Sequence, residues 1–144
     1  MTASVSEQCA AYLPDLVEWE VDDVSSSTPS EAQFVVANNI VFSSETKQLR
    51  LSIKANAASF TPPDGSGTTW AASDVSWNGC SWTNGTGAAG TLSDSSYNVV
   101  VTSAARPYLL ATMGLVFTLA AKSSVSKSGD HTLVCTWKVE SIGT

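Results

Sequence analysis

The stretch Leu133-Val134-Cys135-Thr136-Trp137-Lys138-Val139-Glu140 decides the fold. Successive side chains of an extended chain point to opposite faces. One face therefore carries Leu133, Cys135, Trp137 and Val139, and the other Val134, Thr136, Lys138 and Glu140. An apolar face backed by a mostly polar one marks a half-buried strand. The alternation recurs upstream. Leu49, Leu51, Ile53 and Ala55 alternate with Arg50, Ser52, Lys54 and Asn56, and Val17, Trp19 and Val21 alternate with Glu18, Glu20 and Asp22. Further strands are expected at 32–42, with Asn38-Asn39 as a turn or bulge, at 70–77, and at 97–101. The longest is expected at 109–121, with Met113, Leu115, Phe117 and Leu119 facing inward. A helix there would be apolar nearly all round, and Thr112, Gly114, Val116 and Thr118 form helices poorly.

Ser-, Pro-, Asn- and Gly-rich segments at 25–30, 43–48, 61–67, 78–90 and 122–130 separate these runs as loops. Residues 6–13 are read as one or two helical turns stopped by Pro14. Roughly seven to eight short strands divided by regular turn signals predict an all-β protein, an antiparallel β-sandwich. A chain of 144 residues suits one domain, here residues 16–144, preceded by an N-terminal arm at 1–15.

Composition narrows the partners. Charged residues are only 14% of the chain, and Ser and Thr take their place. Five Trp and many Val separate this composition from that of disordered chains. The formal net charge of −6 disfavours nucleic acid, whose binding depends on Lys and Arg patches, and disfavours anionic membrane surfaces as well. No run of apolar residues is long enough for a transmembrane helix, so no membrane span is expected. Residues 1–4, Met-Thr-Ala-Ser, lack the basic start and apolar run of a signal peptide. Two readings stand: a cytoplasmic chain, or the mature form of a secreted one, with the small-residue start and the paired-cysteine option favouring the second.

The three cysteines are Cys9, Cys80 and Cys135. A Cys80–Cys135 disulfide is the preferred reading, since Cys135 lies on the inner face of its strand. Cys9–Cys80 is the alternative, and three reduced, buried thiols are a third. No CxxC or HxxxH spacing exists and the single His131 cannot complete a usual zinc site, so neither metal nor cofactor is expected. Asp130 adjoins His131 but points to the opposite face of an extended chain, which spoils a Ser-His-Asp arrangement. No P-loop, GxGxxG or nucleophile elbow is present, and no catalytic residue is assigned. Glu18, Glu20, Asp22 and Asp23 form the densest charge and are read as a solvated face that discourages unwanted strand pairing. Trp70, Trp82 and Tyr97 are the candidate ligand-binding residues, as rings able to stack on sugars. Trp77 and Trp137 are assigned to the core.

The segments Ser73-Asp74-Val75-Ser76-Trp77, Gly90-Thr91-Leu92-Ser93 and Gly129-Asp130-His131-Thr132-Leu133-Val134-Cys135-Thr136-Trp137-Lys138-Val139 resemble secreted bacterial Ig-like domains. The closing Gly, spacer, alternating Thr and apolar residues and Thr-Trp resemble the end of WxL-type surface domains, and loosely that of spore-coat-U and archaic chaperone–usher pilins. The cysteine placement departs from the pilins. The resemblance implies an Ig-like or pilin-like sandwich and an extracellular or cell-surface, non-enzymatic role. The expected function is a self-assembling surface or filament subunit whose partner is a copy of itself. Val17, Trp19 and Val21 would form the strand added to a neighbour's sheet edge. The alternative is a carbohydrate- or ligand-binding module with a polysaccharide partner.

Overall fold

The alternating segments pair into antiparallel ladders throughout. The structure is a computed structural model that describes residues 1–78, 81–82, 85–103 and 110–143, with only the backbone at 81, 82 and 110–112. Among the described residues there are twelve strands: β1 (Gln8–Tyr12), β2 (Thr28–Pro29), β3 (Gln33–Val41), β4 (Gln48–Ala55), β5 (Val75–Trp77), β6 (Ser81–Trp82), β7 (Gly85–Gly87), β8 (Gly90–Thr91), β9 (Asn98–Ser103), β10 (Leu110–Leu115), β11 (Phe117–Leu119) and β12 (Cys135–Ile142). They form an eight-stranded sheet, ordered β1-β3-β10-β6-β7-β9-β4-β12, and a four-stranded sheet, ordered β2-β11-β5-β8. The all-β, sandwich-like character expected from the alternation is what forms.

The core lies between the sheets and is set by the inward parity of a few strands. Leu49, Leu51, Ile53 and Ala55 of β4 are all buried, as are Met113, Leu115, Phe117 and Leu119. The segment expected as one long strand is divided at Val116, which is exposed. Before Val116 the chain pairs with β3 in the large sheet; after it, with β2 and β5 in the small one. Parity is kept across the break, so one segment serves both layers. The aromatic rings follow the same plan. Phe117 lies edge-on to Trp77 at 6.0 Å within the small sheet and edge-on to Trp137 of the large sheet at 6.5 Å. Trp77 is buried and its indole N–H donates to the Ala88 carbonyl at 2.8 Å.

The Asn38-Asn39 irregularity is a bulge. Asn39 has a φ of 50° and the β1–β3 register slips between Gln8 and Ala10. An Asn tolerates that left-handed backbone better than most residues. A second slip, between Leu51 and Ser52 in the β4–β9 pairing, leaves Val100 and Val101 both buried.

The sequence expectations fail at two places near the N-terminus. Residues 8–12 are not helical; they form β1 and add to β3. A helix of two turns has too little internal hydrogen bonding to compete with an available sheet edge. Residues 17–21 are extended but form no strand. Their alternation is nonetheless realised, with Val17, Trp19 and Val21 half-buried and Glu18, Glu20 and Asp22 exposed. Alternation specifies facing, whereas a strand also needs an edge within hydrogen-bonding reach. Both sides of the nearby β11 are taken, by β2 and by β5.

The eight-stranded sheet curls so that its two edge strands meet at one end. Glu7, just before β1, accepts hydrogen bonds from the Ser43 N–H at 2.9 Å and hydroxyl at 2.7 Å, and from the Ser141 hydroxyl of β12 at 3.0 Å. It also pairs with Lys47 at 2.9 Å. These donors hold the Glu7 carboxyl down to about 2, Lys47 contributing most.

Candidate functional site

At the opposite end of the seam, away from Glu7, the sheets part around a cavity of about 830 Å³. Its floor is Phe117 of β11, one wall is the inner face of β12 (Cys135 and Trp137) and its roof is the segment 14–24, a strap whose Val17, Trp19 and Val21 face inward. The strap's anchorage is sparse. The Trp19 indole N–H donates to the Phe117 carbonyl at 3.1 Å, and its ring lies edge-on to Phe60 at 6.3 Å. Where the strap ends, the Lys122 N–H donates to the Val24 carbonyl at 2.6 Å. Among the described residues, no backbone hydrogen bond involves residues 15–22. Such N–H and C=O groups must face water or a partner chain, since buried backbone groups are nearly always paired.

The inner face of β12 explains why its alternation is so regular while its burial is incomplete. Leu133, Cys135 and Trp137 pack against the core on one side and border the cavity on the other, which leaves them half-buried. Among the described residues β12 pairs with β4 alone, so its other edge carries no strand. Cys135 is a free thiol, as is Cys9. Of the expected Cys80–Cys135 bridge, Cys80 lies outside the described residues. Burial pushes both described thiols above the usual cysteine range, which leaves them protonated and poorly nucleophilic at neutral pH.

The loop 125–132 closes the cavity's remaining side. His131 is fixed there between the Thr69 hydroxyl, 2.8 Å from Nδ1, and the Lys127 carbonyl, 3.1 Å from Nε2. A carbonyl only accepts, so Nε2 carries the proton and, in the neutral ring, Nδ1 accepts from Thr69. Both nitrogens are thereby occupied in holding the loop. Among the described residues, no group of three His, Cys, Asp or Glu is placed to hold a metal ion. No helix among them is long and apolar enough to cross a membrane.

The candidate aromatic residues do not form one site. Trp70 is 5% exposed, donates its indole N–H to the Ala120 carbonyl at 2.9 Å and stacks edge-on with His131 at 5.2 Å. It is a cavity wall, not an exposed platform, because its one polar atom finds a partner only inside. Tyr97 is 39% exposed on the far side of β4 and β12, with Lys54 at 5.6 Å and Lys138 at 5.5 Å from its ring centre. Trp82 belongs to β6 opposite Met113, and its side chain lies outside the description. Sequence reasoning found the strap's inward residues but missed the cavity beneath them; the one available signal was an acidic, alternating segment with no evident partner. No protein-family model matches the chain, and no curated protein is significantly similar to it.

Proposed function

We propose that this protein is a non-enzymatic, self-assembling structural subunit, a building block of an extracellular filament or surface layer. Its strap leaves its own cavity and occupies that of the next copy. The observation that carries this reading is the segment 14–24, which forms no strand, seats alternate apolar side chains in a groove and, among the described residues, has no backbone hydrogen bonds at 15–22. The same segment laid beside the open edge of β12 in a neighbour gains a ladder while keeping its apolar contacts. Main-chain hydrogen bonds supply the affinity in strand addition, and alternate side chains in pockets supply the register. Exchange of an identical element between copies is a low-cost route to assembly.

Electron microscopy and light scattering of the full chain, beside a Val17→Ser, Trp19→Ser, Val21→Ser variant, test the reading. Polymers of the parent and none of the variant are expected. A parent that stays monomeric at every concentration overturns it, and so do polymers that survive the triple substitution. A ligand-binding module is the second reading, favoured by a cavity volume within the range of about 300–1,000 Å³ common to small-molecule sites. Its walls suit an apolar ligand better than a sugar.

A further inference from the structure

The chain carries seven basic residues, and three of them, Arg50, Lys54 and Lys138, share the outer face of β4 and β12 with the exposed ring of Tyr97. One carboxylate, Glu140, stands among them, bonded to Arg50 at 2.8 Å and Lys138 at 3.1 Å. Lys54 has no carboxylate partner among the described residues. In a protein of net charge −6 this face is locally positive. The complementary feature is the strap. Five of the thirteen acidic residues lie between Asp15 and Asp23, and Glu18, Glu20 and Asp22 project outward with no ion pair among the described residues.

Spacing matches as well as sign. Residues two apart on an extended segment lie about 7 Å apart, which sets the separation of Glu18 and Glu20. Lys54 stands opposite Thr136, so Lys138 is its diagonal neighbour across the ladder. Diagonal neighbours lie about 7–8 Å apart. The two lysines also flank one ring, Tyr97, which holds them in place. The strap covers the inner face of β12 while the lysines leave its outer face, so the two charge sets look away from each other within a molecule.

We propose that the Lys54–Tyr97–Lys138 face is a docking surface for the outward acidic face of the strap, Glu18 and Glu20, of a second copy of this chain. The two patches face away from each other on one molecule, so a single neighbour cannot engage both and the contact repeats from copy to copy in lateral rows. It needs no strand exchange, because the acidic face points outward whichever cavity the strap fills.

Charge exchange tests it while leaving the apolar face of the strap intact. One variant carries Lys54→Glu and Lys138→Glu; a second carries Glu18→Lys and Glu20→Lys. Self-association is followed by analytical ultracentrifugation in about 20 mM and about 500 mM sodium chloride, where screening differs severalfold in range. The parent is expected to associate more strongly in low salt. Each variant alone should associate at least about tenfold more weakly, since facing like charges oppose contact. An equimolar mixture of the two should regain association, because each supplies the charge the other lacks. Variants that associate like the parent, or a mixture that regains nothing, overturn the proposal. Capture of an acidic polysaccharide by the parent but not by the Lys54→Glu, Lys138→Glu variant, without self-association, also overturns it and assigns the face to that polymer. Loss of strand exchange alone leaves the salt-dependent contact unaffected, so the two proposals fail separately.

Discussion

Glu7 draws Ser43, Lys47 and Ser141 to one carboxylate and so binds both edges of the large sheet. Its carboxyl sits at about 2, against an ordinary 4.5, because every one of those contacts favours the charged form. A group whose folded value is depressed stabilises the fold above its unfolded value and loses that contribution as pH falls. Stability from Glu7 is therefore complete above about pH 4.5 and is lost between there and about pH 2. Asp23 and Glu140 are also held low, by Ser25 and Ser26 and by Lys138 and Arg50, so the parent's acid limb is composite. The expected outcome is that Glu7→Gln melts at a lower temperature at pH 7 and loses less of its stability between pH 4.5 and 2 than the parent does, as read from thermal melts across that range. Nothing near Glu7 in the chain announces this role. Ser43 and Ser141 are distant in sequence, and a single carboxylate among polar neighbours has no periodicity to read.

At the scale of elements, the alternation predicted facing well and pairing less well. The inward residues of β4, of β10 with β11, and of the strap are those the pattern named. Pairing depends on which edges lie within reach, which is a property of the whole sheet, and so β1 and the unpaired strap were misread. The short β6, β7 and β8 fall in a region whose Gly and Asn content reads as loop, and two or three residues are too few to show a period. The β3 bulge was legible because Asn-Asn interrupts an apolar run. Asn39 holds a positive φ there, and a β-branched replacement is strained in that region. Asn39→Val should lower unfolding free energy by about 1–3 kcal/mol, whereas Asn39→Gly should leave it near the parent value. Urea titration of the two variants decides this, and equal loss in both would show that the side chain rather than the backbone conformation matters.

For the whole molecule, stability is distributed unevenly along the seam. β4 is paired on both sides, to β9 and β12, and is buried along one face. The strap has neither ladder nor deep burial. Amide hydrogen exchange of the monomer should therefore be slowest in β4 and nearly unprotected at 15–22, and protection of 15–22 should rise on assembly. Strong protection there in the isolated monomer would contradict the water-facing backbone described above. The seam itself is tied beside Ser141 by Glu7 and open beside Cys135 and Trp137 under the strap. Under the proposed exchange, a neighbour's strap would enter beside residue 135, at the end of β12 away from the Glu7 carboxylate. Subunits joined in that way would all point the same way, and a growing end would differ chemically from a finished one: one would present an empty groove, the other a strap with nowhere to go.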